Sequence, residues 1–171
     1  WDVTVITSRD EGNCHNHNGV SIKRVGLNLD VKRGLLSRAV AYLAYLVGAF
    51  YCLLKVPSGS RVIGITNPPF NAQVLWVASK IKGFNYEYIL LDLHPEGLVA
   101  LGELDVNSRL QKFWSYLNRL AYQRADKLHF LGRDMMSLVG SKYNIGASSQ
   151  RYLPHWAPIS SKLPLTFSES K

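Results

Sequence analysis

Short branched or aromatic runs alternate with longer helical patterns along most of this 171-residue chain, and the apolar runs stop abruptly at polar residues. The strand-like runs are Val3 to Thr7, Ser21 to Leu27, Arg61 to Thr66, Tyr88 to Leu91, Lys127 to Leu131 and Gln150 to Leu153. Ser21 to Leu27 has the mixed polarity of an edge strand. Helical periodicity covers Leu35 to Leu54, Ala72 to Ile81 before Gly83, and the stretch after Ser108. A short helix is expected from a cap at Asp134 to Gly140. No tight Asn-Gly hairpin joins strong strands. Alternation of this kind specifies an α/β fold with a doubly wound parallel sheet. One domain is expected over residues 1–158, with a patternless linker over 159–171.

The most informative run is Tyr86 to Gly97. Its apolar part reads as a buried parallel strand, bounded by Gly83 and Pro95. It gives way to Asp92, His94 and Glu96, whereas a structural turn needs only Gly, Asn or Pro. Ligands bind at the carboxyl ends of open parallel sheets. The plainer reading is that Asp92 caps the following helix and His94 is a satisfied loop residue. Other polar residues fall at strand ends as well: Ser8 and Arg9, Asn67, Arg133 and His155. Asn67 before Pro68 suits an N-cap with proline at the first helical position. Such a cap either directs a helix N-terminus at an anionic group or serves the helix alone. Ser108-Arg-Leu-Gln111 matches a capping box. Leu110, Phe113, Trp114, Leu117, Leu120 and Ala121 follow as the apolar face, with Arg109, Lys112, Arg119 and Arg124 around the other side.

Charge narrows the partners. A net charge of +8 and a pI near 9.6 imply attraction to something anionic. Nucleic acid is not expected, because neither a recognised motif nor basic residues interleaved with exposed aromatics occur. G-x-G-x-x-G, the mark of a nicotinamide-binding turn, is absent. Leu35 to Leu54 is the most hydrophobic stretch, yet its 16-residue apolar core, Ala39 to Leu54, falls short of the ~20 residues a bilayer span needs. It reads as a core helix, or as one whose outer face rests on a membrane with Lys32, Arg33, Arg38 and Lys55 against anionic lipid. Cys14, His15 and His17 share one loop without the second ligand pair a structural zinc site requires. Cys14 and Cys52 supply no disulfide framework, which favours a reduced compartment.

Val-Thr-Val-Ile-Thr-Ser-Arg early, Asn-Pro-Pro-Phe in the middle, and Asp92-Leu-His-Pro-Glu96 followed by Ala100-Leu-Gly102 resemble glycosyltransferase family 4. Tyr122-Gln-Arg-Ala-Asp-Lys-Leu-His-Phe-Leu and Tyr152-Leu-Pro-His-Trp156 fit the same pattern, most closely in bacterial members that build cell-surface polysaccharides. The resemblance implies a retaining enzyme of GT-B type, with this chain as its Rossmann-like, acceptor-binding N-terminal half. It implies that a first strand and Gly-rich loop precede Trp1, that a donor-binding C-terminal domain follows, and that the half alone is inactive. Many relatives carry Trp at the position of His94 and Asn at that of His155.

On this reading Asp92, His94 and Glu96 serve the reacting sugar and acceptor hydroxyl, while Ser8, Arg9, Asn67, Pro68 and Arg133 bind substrate. The nucleotide sugar enters as a substrate, and neither cofactor nor metal is implied. A polyprenyl-diphosphate-linked acceptor would account for both the basic charge and the apolar helix, placing a cytoplasmic protein at the inner membrane face. The alternative is a non-catalytic basic α/β domain that binds nucleic acid or an anionic membrane.

Overall fold

The structure, a computed structural model, describes residues 2–8, 16–17, 19–27 and 34–154. Arg9, Cys14, His15, Lys32, Arg33, His155 and the tail lie outside the described residues. The first strands are β1 (Val3–Ser8), the two-residue β2 (Asn16–His17) and β3 (Val20–Val25). A long helix, α1 (Leu35–Leu53), precedes β4 (Arg61–Ile65), α2 (Asn71–Lys82) and β5 (Asn85–Leu90). The one-turn α3 (Glu96–Ala100) and α4 (Arg109–Arg124) lead to β6 (Lys127–Phe130), then α5 (Arg133–Tyr143), a 3₁₀ turn and β7 (Gln150–Tyr152).

This is the Rossmann-like α/β architecture expected from the alternation, with parallel sheets flanked by helices. The strands form two sheets, β1-β3-β2 and the all-parallel β4-β5-β6-β7. The second strand is therefore not an edge: β3 pairs in parallel with β1 and antiparallel with the short β2. Tyr86, Tyr88 and Leu90 of β5 and Leu128 and Phe130 of β6 alternate inward, and they pack with Leu75, Ala78, Tyr122 and Val139 as the core. Gly64 of β4 lies so close to α2 that a Cβ there would sit 2.2 Å from Leu75 Cδ1. On the opposite face of that sheet Ile63 and Ile65 are exposed, and Glu87 is held by His129 at 2.7 Å and Arg61 at 3.6 Å.

Three local expectations change. The helix after β4 begins at Asn71 rather than Pro68, so Asn67 is not its cap. Pro68 to Asn71 closes a turn of its own, with the Asn71 N–H on the Pro68 carbonyl at 3.3 Å. Phe70, in the left-handed region, then opens the helix. Asp134 does not cap α5 either. Gly132 holds the cap position, and the helix runs past Gly140 to Tyr143, with Asn144 as its C-cap. Gly140 lies within the helix and does not stop it, and a Cβ there would meet the amide end of the Gln150 side chain at 2.8 Å.

The third change is the rotation of α4. Its buried face is Gln111, Trp114, Asn118, Ala121 and Tyr122, while Leu110 and Phe113, expected inside, are exposed. Half of the capping box forms. Ser108 Oγ accepts from the Gln111 N–H at 3.1 Å, but the Gln111 side chain bonds Ser115 instead of returning to Ser108.

Candidate functional site

The parallel register of β4, β5 and β6 brings the ends of these strands to one edge. Thr66 ties two of them together: its hydroxyl donates to the Ile89 carbonyl at 3.1 Å and accepts the Leu91 N–H at 2.9 Å. From this edge the Leu91–Pro95 loop is fixed by α4 and α2. Asn118 Nδ2 donates to the His94 carbonyl at 2.5 Å, and Gln73 Nε2 donates to Asn118 Oδ1 at 2.6 Å. Asn118 is 3% exposed, so this relay is shielded from water and sets the loop firmly.

The His94 ring stacks on Trp114 with centroids 5.9 Å apart, and Phe70 stacks on Trp114 at 4.4 Å. Trp114 is buried, whereas Phe70 keeps part of its ring in solvent. His94 Nδ1 is buried and has no hydrogen-bond partner among the described residues. A buried nitrogen left without a hydrogen bond costs about 1–3 kcal/mol. Phe70 adds a second strained element, since a bulky residue with φ of 70° is unfavourable.

The other expected residues divide. Asp92 does not cap α3, whose cap position is Pro95. Its carboxylate is exposed, and no described residue pairs with it. Glu96 turns the other way, accepting the Tyr143 hydroxyl and pairing with Lys142 at 2.8 Å, so it anchors α3 to α5. Burial first, then the hydrogen bond to Glu96 and its charge, push the Tyr143 hydroxyl well above the ordinary tyrosine range. Asn67 is exposed and Pro68 buried beside it. Arg133, at the start of α5, is exposed and lies over the Tyr152 ring at 5.1 Å. Ser8 ends β1, in the other hydrogen-bonded sheet.

Sequence reasoning names none of Asn118, Gln73, Trp114 and Phe70 as a site residue; Trp114 enters it as part of an apolar helix face and Phe70 as the end of Asn-Pro-Pro-Phe. Asn118 left one trace, a polar residue four positions after Trp114 within an otherwise apolar helix face. Among the described residues no cluster of three or more metal-ligating side chains occurs.

Comparison with known proteins bears on what this edge does. The chain is similar to the probable glycosyltransferase WbjE of Pseudomonas aeruginosa. Identity is 32% over 130 residues, which make up 74% of this chain and 32% of that protein. The chain thus spans about a third of its curated relative. No family model matches.

Proposed function

We propose that this chain is the acceptor-binding half of a retaining GT-B glycosyltransferase of family 4, acting in cell-surface polysaccharide synthesis. The observation that carries the reading is the His94–Trp114–Phe70 stack at the strand ends, where the Nδ1 of His94 has no partner among the described residues. An aromatic face suits the C–H face of a sugar ring, and a loop histidine beside it suits a hydroxyl. Asp92, exposed at the end of β5, orients the acceptor hydroxyl. Arg133, on the neighbouring strand end, neutralises diphosphate oxygens. Asn67, Pro68 and Ser8 border the acceptor's path, and Glu96 acts through position by fixing the loop that carries His94.

In the reaction the acceptor oxygen bonds to the anomeric carbon as the donor's carbon–oxygen bond breaks. Its proton passes to the departing nucleoside diphosphate, and the transition state is oxocarbenium-like. Most of the donor's contacts belong to a second domain. A polyprenyl-diphosphate-linked sugar is the acceptor class, and the cytoplasmic face of the inner membrane is the place of action.

Binding tests this reading better than turnover, since half an active site holds one substrate. Farnesyl-diphosphate-linked N-acetylglucosamine, titrated against intrinsic fluorescence, is expected to bind saturably. His94→Ala and Arg133→Ala are expected to weaken it roughly tenfold each, the scale of one lost charged or polar contact. Equal affinity in wild type and both variants would overturn the assignment.

A further inference from the structure

Along α1, Leu36, Val40, Leu43, Val47 and Tyr51 recur in steps of three and four and are exposed, Leu36 at 79%, Leu43 at 64% and Val47 at 62%. They form one stripe about 22 Å long. Isolated exposed apolar residues need no explanation, but a continuous row does. The row is also ordered by residue type. Leu36 and Leu43 stand seven positions apart, Val40 and Val47 stand seven apart, and the two pairs interleave. Leucine at one seam position and a β-branched residue at the other is the arrangement that favours a two-stranded contact between helices.

Charge, size and area identify what covers the row. It contains no charged residue. α1 has no Asp or Glu, and its one cation, Arg38, follows Leu36 by two positions and so does not share its face. A neutral seam selects its partner by shape alone, and an isologous contact needs only to match itself. Ala39 and Ala44 flank the row and are small enough to let two helix axes approach closely. Five large side chains at this exposure present roughly 500 Å² per copy, so a pair buries about 1,000 Å² from them alone, the lower bound of a specific interface. A lipid surface would impose no seven-residue order and would favour cations beside the row.

We propose that the chain pairs with a second copy of itself, α1 against α1, about a two-fold axis along this stripe. The window Leu36–Leu53 is long and apolar enough to cross a membrane, and only 11% of it is buried. Its inner face is nevertheless committed to protein. A Cβ on Gly48 would lie 2.7 Å from Val25 Cβ, and one on Gly26 would lie 3.1 Å from the Tyr45 backbone. A helix seated this closely on β3 is held by the fold, so the seam is formed before the partner arrives and little ordering is lost on contact. Lys55, whose ammonium lies 4.1 Å over the Tyr51 ring, closes the end of the row as a polar rim.

This proposal is independent of the strand-end site, and its test contains no sugar. The chain is followed by sedimentation velocity from low to high micromolar concentration, at low and moderate salt. A reversible dimer of micromolar affinity is expected, the scale of an interface near the lower size limit. Each copy carries a net charge of +8, so salt relieves the repulsion between copies and is expected to tighten the dimer. Attachment to an anionic surface would weaken with salt instead. Leu43→Glu/Val47→Glu, both at exposed positions, is expected to weaken association at least roughly a hundredfold, by placing carboxylates in an apolar seam, at an unchanged circular dichroism spectrum. Leu110→Glu/Phe113→Glu, exposed and apolar on α4 but outside the stripe, is expected to leave the dimer intact. The proposal is overturned if the wild type stays monomeric throughout, if the dimer weakens as salt rises, or if the α1 variant still pairs. It is overturned equally if the α4 variant splits the dimer, or if phosphatidylglycerol vesicles bind a chain that is monomeric without them.

Discussion

Phe70 condenses the conflict between stability and use at the residue scale. Its backbone sits at φ 70°, a conformation that costs a bulky side chain about 1–3 kcal/mol. Its ring returns part of that through stacking on Trp114. Phe70→Gly removes strain and stacking together, so the net change in unfolding free energy is expected to stay within about 1 kcal/mol. Binding of the lipid-diphosphate sugar is expected to drop at least roughly tenfold, through loss of the aromatic face. A variant of lower stability with unchanged affinity would show that the ring serves only packing.

Among elements, α1 and α4 show which part of helix prediction succeeds. Period 3.6 located both helices, but it does not say which side meets the sheet. On α4 the stripe through Leu110 and Phe113 lies next to the stripe through Gln111, Trp114 and Asn118, and tertiary contact chose the second. The relay from Gln73 through Asn118 to His94 then fixes the choice with buried hydrogen bonds. Of α1, Gly48 decides the inner side. Gly48→Ala gains about 1 kcal/mol of helix propensity. It also forces Val25 or the helix to move, and overpacking of this kind costs about 1–3 kcal/mol. The expected net result is a lower urea midpoint with an unchanged slope. A raised midpoint would mean that α1 is not seated on β3 as described.

At the scale of the molecule, β5 and Gly83 were legible because each is locally over-determined. An aromatic and branched run must be buried, and a glycine at φ 71° ends a helix well. The partners of Glu96 were not legible, since Lys142 and Tyr143 lie more than forty residues along the chain. Nor was the turn at Pro68 to Asn71, where a local capping rule competes with the path the chain must follow out of β4. The core carries a further consequence in its tyrosines. Burial raises the hydroxyls of Tyr86, Tyr88, Tyr122 and Tyr143 above their ordinary value of 10.0. Unfolded tyrosines therefore release protons first as pH rises. Stability is expected to be unaffected by these groups below about pH 10, and above it to fall by about 1.4 kcal/mol per pH unit for each. Tyrosinate absorbance should rise together with loss of far-ultraviolet circular dichroism. Ionisation of these four rings with the fold intact would contradict the burial described.

Whether the edge made by β4, β5 and β6 receives a sugar acceptor is read by nuclear magnetic resonance of the histidine rings and tryptophan indoles. Farnesyl-diphosphate-linked N-acetylglucosamine is added in steps, with farnesyl diphosphate alone as the control for the lipid tail. Saturable shifts of His94 and the Trp114 indole are expected with the sugar present, and no comparable movement of His129, which faces the other side of the sheet with Glu87. Shifts confined to His129 or to the outer helix layer, with His94 and Trp114 unmoved, would contradict it.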